Sequence, residues 1–89
     1  MTTAETYYIV VYPNKAGYAS MDKYLAVIPG IHAPALTGML QNAARFADRK
    51  TAEMWLAMNQ RTGGEGHGPG QVEELEYLVT YKRRPLKQG

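Results

Sequence analysis

Residues 6–12, TYYIVVY, are apolar or aromatic almost without interruption and lack the alternation of a half-buried strand. In an extended chain Tyr7, Ile9 and Val11 fall on one face and Tyr8, Val10 and Tyr12 on the other, which predicts a central strand covered on both faces. Pro13-Asn14 is a turn signal that ends it. Residues 17–20 (GYAS) are expected to return as a second strand, Met21, Asp22 and Lys23 to make a bend, and residues 24–28 (YLAVI) to form a third strand closed by Pro29-Gly30.

A different rhythm begins at residue 44. Asp48 is a good helix N-cap, because its carboxylate can accept the unpaired N–H groups of Lys50 or Thr51 and suits the positive end of the helix dipole. From there Ala52, Trp55, Leu56 and Asn59 share one face, with Thr51 and Met58 along its edge, while Lys50, Glu53, Ala57 and Arg61 point away. This predicts an amphipathic helix over 49–60, entered through Phe46, which should anchor the chain to the core that Trp55 occupies. Residues 31–43 read as a shorter helix or helical turn: Pro34 suits a first helical position and Leu36, Met39, Leu40 and Ala43 follow helical spacing. Gly38 weakens that element by about 1 kcal/mol relative to alanine.

Residues 63–70, GGEGHGPG, are too rich in glycine to hold one conformation cheaply and predict a flexible loop. Beyond it, residues 72–83 alternate, with Leu75, Tyr77, Val79 and Tyr81 on one face and Glu74, Glu76, Thr80 and Lys82 on the other; Leu78 breaks the pattern. Arg84-Pro85 should end this strand and leave a frayed tail over 84–89. The expectation is a single α+β domain spanning 1–89: an antiparallel sheet of three to four strands packed against one main helix, with a second short helix possible.

Composition narrows the classes. Eighty-nine residues, 45% hydrophobic and 20% charged, suit one globular domain and argue against overall disorder. There is no cysteine, which excludes disulfides and thiolate chemistry. No apolar run suggests a leader or a membrane span, so a cytoplasmic protein is expected. The net charge of +2 is unevenly placed: Lys82, Arg83, Arg84 and Lys87 cluster near one end, and without them the body is slightly acidic. Such a cluster reads as a solvated end or as a phosphate-contacting arm.

Candidate chemistry is sparse. The two histidines are His32, between prolines, and His67, in the glycine loop where nothing in the sequence sets its orientation, although a catalytic base needs fixed geometry. His32, His67 and Glu65 match no metal-ligand spacing. Glu74 and Glu76 share a strand face that Glu73 does not, an arrangement that more often solubilises a face or pairs with a basic neighbour than works as an acid pair. The glycine loop follows a helix and opens a strand, the reverse of a phosphate-cradling loop. The reading is therefore no catalytic residue, no cofactor and no metal.

Tyrosine is the unusual usage, seven residues in the chain. An apolar ring with a polar tip serves sheet faces and interfaces alike. Tyr8, Tyr12, Tyr18 and Tyr24, with Lys82, Arg83 and Arg84, are the candidate partner-binding residues. If Tyr8, Val10 and Tyr12 face away from the helix, either residues 31–43 or a second copy of the chain must cover them, and a two-fold homodimer is one expectation.

Three stretches, TYYIVVY, GYAS and AARFADRKTAEMWL, together resemble the layout of small accessory proteins encoded by bacteriophages and prophages: an opening strand, a glycine-aromatic return, an alanine-x-x-phenylalanine entry to a helix carrying Ala-Glu, and a final strand. The likeness covers most of the chain, describes a layout more than a motif, and transfers no functional residue. It implies a non-enzymatic inhibitor of a host defence system, of which anti-CRISPR proteins are the best-known group. Such a protein would occupy the surface of a protein or ribonucleoprotein effector in the host cytosol. The alternative is a small nucleic-acid-binding accessory protein using the basic cluster.

Overall fold

A computed structural model describes residues 5–27, 35–59, 66–77 and 81–86. The expected turn at Pro29-Gly30, His32, Pro34, Glu65, Leu78 and Lys87 lie outside the described residues. The chain is an α+β protein: five strands in one antiparallel sheet, with a single α-helix packed on one face. In chain order these are β1 (Glu5–Tyr12), β2 (Lys23–Ala26), β3 (Ala35–Thr37), α1 (Arg49–Met58), β4 (Gln71–Tyr77) and β5 (Tyr81–Pro85), and the sheet order is β3-β2-β1-β4-β5.

The continuous apolar run makes β1 the central strand, as its pattern predicts, and Ile9, Val10, Val11 and Tyr12 are fully buried. It pairs with β4 from Glu5↔Tyr77 to Val11↔Gln71, but with β2 only at Val11↔Tyr24 and Tyr12↔Lys23. Residues 44–46 occupy the fork where β1 and β2 part. Ala44 N–H donates to the Leu25 carbonyl at 2.8 Å, and Tyr8 and Phe46 exchange both backbone hydrogen bonds at 2.9 Å. Buried strand edges need such partners.

Each face of β1 has its own cluster. Val10, Tyr12 and Leu25 meet Leu36, Phe46, Trp55, Leu56 and Val72 under the helix. Ile9, Val11, Tyr24, Ala43 and Leu75 form the opposite cluster, closed in part by Tyr7 and Leu40. The expected open patch is therefore corrected: Val10 and Tyr12 lie beneath α1, and cover for the other face comes from the chain itself at Leu40 and Ala43.

Four element boundaries also differ from the sequence reading. Residues 17–20 form no strand, because the place beside β1 belongs to β2; Gly17 turns the chain with a φ of 88°, and Ala19–Met21 is one 3-10 turn. Residues 34–43 hold no second α-helix. Ala35–Thr37 is an edge strand paired to β2, followed by a 3-10 turn at Leu40–Asn42. Leu36 is drawn into the core beneath the helix, and the Thr37 hydroxyl accepts the Met39 N–H at 3.1 Å, a local bond that competes with a helix. Residues 72–83 are two strands, β4 and β5, paired with each other, so the break at Leu78 separates a hairpin. Two strands where one was expected, plus β3, raise the count above three to four. The helix ends at Met58 instead of residue 60, where Asn59 folds its side-chain amide back to the Trp55 carbonyl at 2.8 Å.

Asp48 caps α1 as expected: its Oδ1 accepts the Thr51 N–H at 2.7 Å. That bond holds the carboxyl below its ordinary pKa. A depressed folded value means the cap's stabilisation is complete above the ordinary carboxylate range and is lost as pH falls through the folded value. Asp48→Ala should lower the melting temperature at neutral pH, and Asp48→Asn should keep most of the cap while losing less on acidification. Thermal melts from about pH 7 to pH 3 read both effects. Equal acid sensitivity of Asp48→Asn and the parent would place the acid-labile group elsewhere. Ala52, fully buried, lets the helix close on the sheet; Trp55 is half-buried, less deeply seated than its pattern predicts.

Candidate functional site

The basic cluster is the first candidate, and the strand alternation divides it. In β5, Lys82 and Arg84 lie on the helix face opposite Glu76 and Glu74, while Arg83 lies on the other face opposite Leu75. Arg83 is spent there. Its Nε donates to Glu73 at 2.9 Å, Nη2 to Asp22 at 2.8 Å and to Glu73 at 3.2 Å, and Nη1 to the Tyr24 hydroxyl at 3.0 Å. Both carboxylates are buried and continue the network, Asp22 accepting the Asn14 N–H at 2.7 Å and Glu73 the Gln71 side-chain amide at 2.8 Å. Burial opposes the Arg83 charge, but the hydrogen bonds from Glu73 and Asp22 outweigh it and hold its pKa above the ordinary value. Burial likewise pushes the Tyr24 phenol up, against the lowering influence of Arg83. Among the described residues no buried side-chain nitrogen or oxygen lacks a hydrogen-bond partner. The arrangement ties β2, β4 and β5 together.

Of the other sequence candidates, Arg84 pairs with Glu76 at 3.4 Å, Lys82 is exposed, Tyr8 is half-buried, and Tyr12 and Tyr24 are buried. Tyr18 alone among those tyrosines is broadly exposed, at 63%. No single surface collects them.

His67 is better fixed than its glycine-rich surroundings suggest. It is 8% exposed, with Nε2 2.8 Å from the Met21 carbonyl. The backbone around it is tied to the β1 turn: Lys15 N–H donates to the Gly66 carbonyl at 2.8 Å and Gly68 N–H to the Pro13 carbonyl at 2.9 Å. So residues 66–70 are held, contrary to a uniformly flexible 63–70 loop. Gly70 is required for another reason, since a Cβ there would stand 2.7 Å from Leu56 Cδ1 and 2.8 Å from Tyr12 Cε1. Among the described residues no three His, Asp or Glu side chains are grouped to hold a metal ion, and no helix is long and apolar enough to cross a membrane.

The site that sequence reasoning missed lies beside α1. A groove of about 500 Å³ is lined by Val27, residues 41–46 and Trp55. Phe46 and Trp55 stack within it, ring centroids 5.8 Å apart, and Val27 at its border is 45% exposed. Helical spacing sets Thr51, Met54, Trp55 and Met58 in one i, i+3, i+4, i+7 stripe. Met54 and Met58, at 53% and 63% exposed, therefore extend the apolar wall of the groove into solvent. The signal was present in the sequence as methionines next to the core-facing positions.

These features define a five-stranded antiparallel α+β protein with an apolar groove beside its one helix. No family model, curated protein or solved structure matches the chain.

Proposed function

We propose that this is a non-enzymatic binding protein that acts by occupying the surface of a protein partner, with the groove beside α1 as its contact site. The observation that carries the reading is the stripe of Met54, Trp55 and Met58, which leaves large apolar side chains in solvent next to a concave apolar floor. Methionine is flexible and polarisable, so it adapts to a partner's shape, and aromatic anchors in a pocket are typical interface centres. The target class follows from the resemblance: an effector of a bacterial defence system, a protein or ribonucleoprotein of the host cytosol, inhibited by occlusion.

The nucleic-acid alternative draws less from the geometry. A phosphate-binding arm needs available cations, yet Arg83 is enclosed by carboxylates and Arg84 pairs with Glu76. Capture from a bacterial host lysate tests the leading reading, with tagged parent beside a Met54→Glu, Met58→Glu variant of unchanged melting temperature. The parent should retain one effector that the variant loses. Equal retention by both would show that the groove is not the contact, and retention of generic nucleic acid with steep salt dependence would establish the alternative.

A further inference from the structure

We infer that the groove accepts an acidic amphipathic helix, with its apolar side laid along Met54, Trp55 and Met58 and its carboxylates directed at the cationic ends of the groove. The inference rests on the binding role proposed above and specifies the partner's chemistry. Shape favours a helix. The wall is itself a helical stripe two turns long, about 10 Å from Thr51 to Met58 at 1.5 Å per residue, and helices pack side by side through such ridges. Helix-in-groove recognition reads anchors at the same i, i+3, i+4, i+7 spacing.

Charge decides the rest. Arg45 lines the groove at its Phe46 end, exposed, with its guanidinium 5.9 Å from the Tyr7 ring centroid. At the other end Lys23, exposed, pairs with Tyr12, whose hydroxyl donates to the Asn59 carbonyl at the end of α1, at 3.2 Å. No acidic residue lines the groove between them. Asp48 stands at the cap, engaged by Thr51. Glu53 projects from the other flank of α1 towards Gln71 and Pro85, Glu74 and Glu76 belong to the β4 side, and Asp22 and Glu73 are buried with Arg83. An apolar helix edged with carboxylates complements this groove, and one edged with lysines is repelled by it.

Trp55 is the chain's only tryptophan, so its fluorescence reports occupancy of the groove directly. Two tryptophan-free helical peptides with the same leucine face, one carrying glutamates and the other lysines elsewhere, serve as probes. The glutamate peptide should shift Trp55 emission saturably to the blue and bind roughly tenfold or more tighter than the lysine peptide at low salt, the gap narrowing as salt is raised. A folded Lys23→Glu, Arg45→Glu variant should reverse the ranking. Equal or opposite ranking with the parent, a ranking untouched by the charge reversal, or no saturable shift with either peptide would overturn the inference. Emission that changes with protein concentration alone would assign the groove to a second copy and overturn it equally. If both peptides fail while capture still depends on Met54 and Met58, the binding role stands and only the acidic-helix chemistry falls.

Discussion

Arg83→Met should destabilise the protein by about 3–5 kcal/mol, the usual penalty for removing one partner of a buried charge network. Against a total stability of about 5–15 kcal/mol this approaches the whole margin. The reason is the count of charges. Asp22 and Glu73 are both buried and both lean on one guanidinium, so its loss strands two carboxylates and also removes the donor to Tyr24. Methionine replaces much of the packing, which keeps the comparison electrostatic. Combining Arg83→Met with Asp22→Asn and Glu73→Gln should recover a substantial part of the loss, because neutral amides do not require a countercharge. The single variant's deficit should also shrink on acidification, since protonating a stranded carboxylate removes the uncompensated charge. Chemical denaturation at several pH values measures all three effects. A single variant as stable as the parent would show that the network is decoration.

What was legible in the sequence was local. The β1 run, the Asp48 cap and the Ala52-Trp55-Leu56 face each depend on neighbours within a few residues, and each stands where the pattern put it. What failed depends on partners far along the chain. Residues 35–37 carry helical spacing, yet Leu36 gains more from the Val10-Tyr12-Leu25 core than a helix interrupted by Gly38 would offer. The same applies to 17–20, whose place in the sheet β2 fills.

The Arg83 network was half legible. Alternation sets Glu73 on the same face as Leu75, away from Glu74 and Glu76, and a charged residue on an apolar strand face calls for a buried counterion. Nothing local names that counterion, because Arg83 reaches Glu73 only through the hairpin and Asp22 only across the sheet. For the same reason a basic cluster that looks available in the sequence is largely neutralised in the fold. The groove was hidden differently: its wall is in one helix, but its floor at Phe46 and its border at Val27 come from separate segments.

Tyr12→Ala should cost about 3–5 kcal/mol, as buried aromatic truncations do. The ring is fully buried between the sheet and α1, and it is wedged closely enough that Gly70 leaves no room for a Cβ beside it. Tyr12→Phe isolates the hydroxyl, which donates to the Asn59 carbonyl at 3.2 Å, and should cost only about 0.5–1.5 kcal/mol. Tyr18→Ser, at a side chain in solvent with no core role, should stay within about 0.5 kcal/mol of the parent. The series separates two uses of the same residue type, since a tyrosine that serves as a surface anchor changes binding while leaving stability alone, and a core tyrosine does the opposite. Urea denaturation of the three variants, with light scattering of the parent at micromolar concentration, reads the distinction. A stable Tyr12→Ala monomer formed from a parent that had been dimeric would return Tyr12 to an interface and would place the helix on the wrong face of β1.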